Sequence, residues 1–488
     1  MSDIIVVGAG FSGLSAAANL AHLDHPVTVI EQHDQPGGRA RVWEKDGYRF
    51  DMGPSWYWMP DLFERFFDRL GYQVDELYEL TRLDPSYRVV WPEGDHWDVP
   101  AGVDALKDFF DAQEPGAADA LEDFLDETGY IYRTAYEDYL FRPSLSFLEF
   151  VDPRLVVELV RLRMLRSMST YVRSFFDHPR LARLVEWPVL FLGASAHKTS
   201  AMYSLMSYAD MALGTWYPAG GMGQVIQAME TVARDLGAQF RYGEAAQSID
   251  IRRGQVTGVT TDQGRHSAEA IVASADYHHV ETELLEPAYR QYDEAFWQSR
   301  TMSPSSLLFY LGIDAELSDL PHHTLFFDED LDRHMRQVYD APRWPDAPLF
   351  YACAPSATDP TVAPEGKSAL FILIPLAPGL PDSDERRAHL YDLVMDRLQD
   401  HLGQDLRPHV EVHRSYAMRD FQQDYGAFKG NAYGMANTLR QTGPFKPNLK
   451  SKAADGLYFA GQLTVPGPGM PPSLVSGELA ANILHEDL

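Results

Sequence analysis

The sequence predicts an α/β protein: a Rossmann-like nucleotide-binding domain interleaved with a mixed-sheet domain and an all-helical insertion. Three observations predict it. A short β-branched run, Ile4-Ile5-Val6-Val7, leads straight into a G-x-G-x-x-G and a helix-favouring stretch, Leu14 to Leu23. From about Val103 to Met211 the pattern is helical almost throughout, punctuated at Pro143, Pro153, Pro179 and Pro188. Farther on, Ser306 to Leu311, Leu349 to Ala354 and Ala369 to Leu376 are apolar runs of strand length. At 488 residues the chain is too long for one ordinary core, so interleaved domains are the default.

The opening unit carries the most chemistry. Gly8 makes the tight turn, Gly10 lets a pyrophosphate approach the backbone, and Gly13 lets helix pack on strand. The phosphates are expected on the free N–H groups of the helix N-terminus, beside Phe11 and Ser12. A second strand, Val27 to Ile30, delivers Glu31 and Gln32 where an acid meets a ribose hydroxyl. An acid there repels a 2′-phosphate, which disfavours NADP.

Next in order, Pro60 or Asp61 is expected to start a helix that Gly71 ends. Tyr87 to Trp91 and His96 to Val99 flank the turn signal Pro92-Glu93-Gly94-Asp95 and predict a hairpin. Inside the helical stretch, Arg154 to Arg183 holds seven arginines against Glu158 and Asp177, interleaved with many apolar residues. Basic amphipathic helices are a membrane-surface signature, although an ordinary packed helix with solvated arginines has the same pattern. A helix, Gln224 to Leu236, then leads into a small sheet of Ala246 to Ile249, Val256 to Thr260 and Ala270 to Asp276. A further helix is expected over Asp384 to Leu402, before a strand at His409 to Val412. Gly456 to Gly461 reads as a buried strand, Gln462 to Pro472 as a Gly/Pro-rich loop, and Ser473 as the cap of a last helix.

Composition excludes several classes. A net charge of −30 argues against nucleic acid as a partner. No apolar run approaches transmembrane length; the longest candidate, Ala369 to Leu376, is broken by Pro375. The start carries no basic and apolar leader pattern, so a cytoplasmic location is expected. The single cysteine, Cys353, forms no intrachain disulfide, and the paired histidines (His278-His279, His322-His323) lack ligand spacing, so no metal is expected.

Pro36-Gly37-Gly38-Arg39-Ala40 and Asp51-Met52-Gly53-Pro54 resemble the G-G-R and D-x-G segments of flavoproteins of the amine oxidase and phytoene desaturase superfamily. Leu192-Gly193, Tyr203 to Met206, Gly214 to Pro218 with Gly220-Gly221-Met222, Ala363 to Gly366, Gly456 to Gly461 and Pro466 to Pro471 resemble bacterial-type phytoene desaturases along the whole chain. The resemblance implies FAD as the bound redox cofactor, held by Gly8, Gly10, Phe11, Ser12, Gly13, Glu31, Gln32, Gly37, Gly38, Arg39, Gly53, Pro54, Ser55, Ala246, Gly461, Gln462 and Met470. It implies desaturation of a long acyclic carotenoid precursor, phytoene to lycopene, in an apolar tunnel. The enzyme would sit peripherally on the inner face of the cell membrane. With no second dinucleotide motif, the expected electron acceptor is oxygen or a quinone. Gln462 and Pro472 depart from the family pattern, in which many members have a small residue and a glycine at these places. Other carotenoid-modifying flavoproteins, or a flavin-free prenyl-binding carrier, remain alternatives; the group that takes the proton is not identified. The domains are expected at 1–85, 220–285 and 440–488 (FAD), 86–102 and 286–439 (substrate), and 103–219 (membrane-facing insertion).

Overall fold

The computed structural model describes residues 3–146, 149, 161, 163–193, 195–438 and 440–488. The opening strand Ile4–Val7 lies at the centre of a five-stranded parallel sheet. Its order is Leu457–Phe459, Ala270–Ala273, Ile4–Val7, Val27–Ile30 and Gln239–Arg241. Ile4 and Val6 face the helices Phe11–His22, Gly223–Asp235 and Met470–Asp487; Ile5 and Val7 face an antiparallel three-stranded sheet, Ala246–Arg252, Gln255–Thr261 and Gly264–Ser267. Burial on both sides is why the strand is apolar at every position.

The same reasoning corrects one expectation. Ala270–Ala273 is buried at every position, and it pairs with Ile4–Val7 instead of closing the small sheet, whose third strand is Gly264–Ser267. The last helix begins at Met470, three residues before Ser473, because Pro471 and Pro472 are tolerated in a first turn, where no N–H is needed. The helix Asp384–Leu402 and the hairpin strands Tyr87–Val90 and His96–Val99 form where their periodicity and turn residues place them.

A second, seven-stranded sheet runs in the order Val410–Tyr416, Ser305–Ile313, Ser368–Leu376, Phe350–Cys353, His323–Phe326, Tyr87–Val90 and His96–Val99. It is mixed: only His323–Phe326 and Tyr87–Val90 pair in parallel. Its two faces follow the period of two along each strand. Leu307, Phe309, Leu370 and Ile372 pack under the helix Asp384–Leu402, while Leu308, Leu373, Tyr351 and Leu325 face the helical segments that follow Val103. Those segments include Val103–Gln113, Ala117–Thr134, Met168–Val172 and Pro179–Glu186. The part of the arginine-rich stretch at 154–160 and 162 lies outside the described residues. Among the described residues no helix is long and apolar enough to cross a membrane.

Candidate active site

The C-terminal ends of the five parallel strands open onto a cavity of about 390 Å³. In open α/β sheets this is where ligands bind. Of the residues singled out from sequence, Gly8, Gly10, Phe11, Ser12, Glu31, Gln32, Gly37, Gly38, Arg39, Gly53, Pro54, Ala246, Gly461, Gln462 and Met470 line it. Two do not. A side chain on Gly13 would run into the Gly8 carbonyl, so this glycine serves the close contact of helix and turn. Ser55 borders the wall without lining it, its Oγ 2.9 Å from the Tyr351 hydroxyl.

The crevice is built for a phosphorylated ligand. Gly8, Gly10, Gly37 and Gly38 leave bare backbone along one wall, and a Cβ added at Gly10 would meet nothing within 4 Å. The helix Phe11–His22 starts here, so its first N–H groups point into the cavity's end without intrahelical partners. The helix Met470–Asp487 presents a second N-terminus at Met470 and Ser473. Glu31 is buried and already held: the N–H groups of Ala9 and His33 donate to its carboxylate at 2.7 and 2.9 Å. A carboxylate has about four acceptor positions, so it keeps capacity for ribose hydroxyls.

Buried polar atoms here that lack partners include Nε of Arg39 and Oδ2 of Asp276. Both residues line the cavity, and the guanidinium approaches the Asp276 carboxylate only to 3.9 Å. Burial pushes the Asp276 carboxyl above the usual range, and Arg39 partly offsets this. Orphaned buried groups of this kind are costly unless a ligand meets them. Together with the glycine wall and the helix N-terminus, they fit a dinucleotide cofactor with a polar ring system. Sequence reasoning missed Ser274 to Tyr277 as lining residues, although they follow a buried strand as Gly8 follows Ile4–Val7.

From this cavity an apolar row crosses the large sheet. Leu308 pairs with Leu373, Leu373 with Tyr351, and Tyr351 with Leu325 on successive strands. Leu308 and Leu373 border the cofactor cavity; Leu373, Tyr351 and Leu325 border a second, almost wholly apolar one of about 30 Å³, with Trp187 and Met335 opposite. Behind it Trp187 Nε1 donates to the Tyr87 hydroxyl at 3.1 Å, and Tyr87 donates to the Asp210 carboxyl at 2.8 Å.

The large sheet also brings the paired histidines at 322 and 323 to the one cysteine. His322, His323 and Cys353 are buried and offer ligand atoms within 4.8 Å of one another, because His323 pairs with Cys353 across two strands. No spacing along the chain could show this.

The profile of the flavin-containing amine oxidoreductase family matches residues 11–485. A carotenoid 3,4-desaturase of Haloarcula japonica is 40% identical, over 100% of this chain and 98% of that protein. A zeta-carotene-forming phytoene desaturase of Myxococcus xanthus is 30% identical over 99% and 93%, and a lycopene-forming phytoene desaturase of Pantoea ananas 29% over the full length of both. Among solved structures, an oxidoreductase from Methanosarcina mazei superposes with a TM-score of 0.63 at 15% identity, covering 99% of this chain and 100% of that one. Cyclohexylamine oxidase from Brevibacterium oxydans gives 0.61 at 16%, with 99% of each covered. At that identity the two structures establish the fold.

Proposed function

Because the chain belongs to the flavin-containing amine oxidoreductase family and is an FAD-dependent desaturase of carotenoids, we propose that it acts on the 3,4 bond of a carotenoid already conjugated along much of its length. The observation that carries this reading is the end-to-end identity of 40% with a carotenoid 3,4-desaturase, against 29% with a lycopene-forming phytoene desaturase. Gln462, at the cavity wall, supports it as a departure from the pattern of the phytoene enzymes. Phytoene to lycopene is the second reading, favoured by the segments shared with bacterial-type phytoene desaturases.

FAD, when bound, supplies the two-electron acceptor for a hydride. The glycine wall and the helix N-terminus at Phe11 would hold its phosphates, Glu31 its ribose, and Arg39, Gln462 and Met470 its ring end. The apolar row would border the path of a rod-shaped hydrocarbon and keep water from it. Phytoene, lycopene and a hydroxylated lycopene, each supplied in liposomes and followed by chromatography, discriminate the readings. The expected result is that phytoene is left colourless while lycopene or its hydroxylated form gains one conjugated double bond. Conversion of phytoene to a coloured polyene would overturn the 3,4 reading in favour of the second.

A hydrocarbon of this length cannot cross water to a buried site, because each CH₂ favours the bilayer by ~0.8 kcal/mol. The insertion is our docking face, with the enzyme peripheral to the inner membrane surface and oxygen or a quinone as terminal acceptor. Leu165 is 83% exposed, between Arg163 and Arg166, which supports this placement. The charge contribution is smaller than the arginine count suggests. Arg163 pairs with Glu127 at 3.1 Å, Arg173 with Glu186 at 3.7 Å, and Arg180 with Asp95. Apolar insertion therefore leads. Replacing Leu165 by Asp is expected to lower partitioning onto anionic liposomes by about ten- to hundredfold, since burying one leucine is worth about 1.5–3 kcal/mol. Unchanged flotation would place the docking face elsewhere.

A further inference from the structure

Desaturation takes a hydride from one carbon and a proton from its neighbour, and the residues described so far leave the proton without an acceptor. We propose that Tyr351 accepts it and that His323 and His322 conduct it out of the core to Thr358. The proposal rests on the chain's being a carotenoid desaturase and holds for either substrate reading.

Tyr351 is placed at the junction of the two cavities. It pairs with Leu373, which borders both, and it borders the apolar one itself. Its hydroxyl lies 2.9 Å from the Oγ of Ser55, the residue after Pro54 of the cofactor cavity's wall. On the other side it lies 2.6 Å from Nδ1 of His323. A phenol alone is a poor base; a phenol with an imidazole at hydrogen-bond distance can accept a proton at oxygen while passing its own to nitrogen.

The imidazole is fixed and unspent. The His323 ring stacks on Trp56 with centroids 4.0 Å apart, and its Nε2 is buried without a partner. The His322 ring follows at 4.5 Å, and its Nδ1 lies 2.9 Å from Thr358 Oγ1. Thr358 is half-exposed. Hydroxyl, imidazole, imidazole and hydroxyl thus run from the edge of the apolar cavity to the half-exposed Thr358. Burial holds both rings neutral, with His322 pushed down to about 3 and His323 well below its ordinary value, so each keeps one ring nitrogen without a proton. The Asp359 carboxylate beside His322 favours the ring's cation and so draws the proton outward.

One substrate carbon loses a hydride, with two electrons, to the family's flavin as oxidant. The C–H bond on the adjacent carbon breaks, and its electron pair forms the second bond of the new C=C. That proton goes to Tyr351 Oη as the tyrosine's own proton moves to His323 Nδ1. His323 Nε2 releases its proton to the neighbouring His322 ring, whose own Nδ1 proton passes to Thr358 Oγ1 as Thr358 gives one to water. The substrate loses two hydrogens, the flavin gains a hydride and the solvent a proton.

The test uses the FAD-loaded enzyme, anaerobically, with the carotenoid it converts in liposomes and in H₂O and D₂O. Flavin bleaching reports the oxidation and chromatography the new double bond. In the parent, product formation is expected to slow in D₂O. Tyr351→Phe, which removes one oxygen, is expected to keep its flavin, to form product about 100-fold more slowly, and to lose the D₂O effect. His323→Gln, which keeps a hydrogen-bond partner but cannot relay, is expected to match it. A Tyr351→Phe enzyme that bleaches and forms product at the parental rate overturns the proposal. So does a parent indifferent to D₂O, which decides the matter even where a variant fails to fold. A wrong desaturase reading shows differently, as a parent whose flavin is not bleached by any carotenoid supplied.

Discussion

Gly10→Val is expected to give a folded protein with no flavin. Gly10 has φ −77°, an ordinary value for any residue, and a Cβ there meets no protein atom within 4 Å. The valine therefore costs the fold little, and its methyl groups fill the space that the bare backbone leaves to a pyrophosphate. Loss of phosphate contacts of this kind removes several charge-assisted hydrogen bonds at ~1.5–3 kcal/mol each, enough for a reduction in affinity of a hundredfold or more. The visible spectrum of the purified variant checks it, with thermal unfolding of the apo forms as the control. Gly13→Ala is the contrasting variant. Its Cβ would strike the Gly8 carbonyl, so it should lower stability by about 1–3 kcal/mol whether or not cofactor is present. Full flavin occupancy in the Gly10 variant would sink this account of the loop.

The second large effect is on stability against pH. Burial pushes the Asp210 carboxyl up to about 7, and the hydrogen bonds from Tyr87 and Thr215 only partly oppose it. The folded state then holds a proton that the unfolded chain releases near its ordinary value of 3.8. Its contribution is full below the unfolded value and is lost as pH rises to the folded one, so the parent weakens between about pH 4 and 7. Three pH units correspond to about 4 kcal/mol. Asp210→Asn keeps the shape and the acceptor for Tyr87 without titrating. Urea unfolding of both proteins should show the variant gaining on the parent by about this amount from pH 4 to 8. Parallel curves across that range would mean that Asp210 is ionised in the folded protein.

What was legible in the sequence is what local chain chemistry determines. From Ile4 to Glu31 the strand, glycines, helix, second strand and acid lie within one βαβ unit, so spacing alone placed them at one crevice. The period of the helix Asp384–Leu402 and the turn residues of the hairpin at 87–99 were equally local. Gly13 read as a cofactor residue because close packing and close approach to a ligand select the same residue type.

The rest depended on which strands meet. Ala270–Ala273 is an apolar run that either sheet could take, and only the pairing with Ile4–Val7 assigns it. The row Leu308, Leu373, Tyr351 and Leu325 comes from four strands, and its direction toward the cofactor cavity is set by their register. A slip of one residue in any of them would turn that side chain to the opposite face. His323 meets Cys353 and Tyr351 for the same reason, whereas Arg163 meets Glu127 through the packing of the helical segments. The sequence by itself determined a dinucleotide site and the class of chemistry, because those reside in contiguous residues. The tertiary structure decided which side chains meet across the large sheet, the apolar row and the contact of Tyr351 with His323 among them, because register between distant strands is settled by the packing of the whole core.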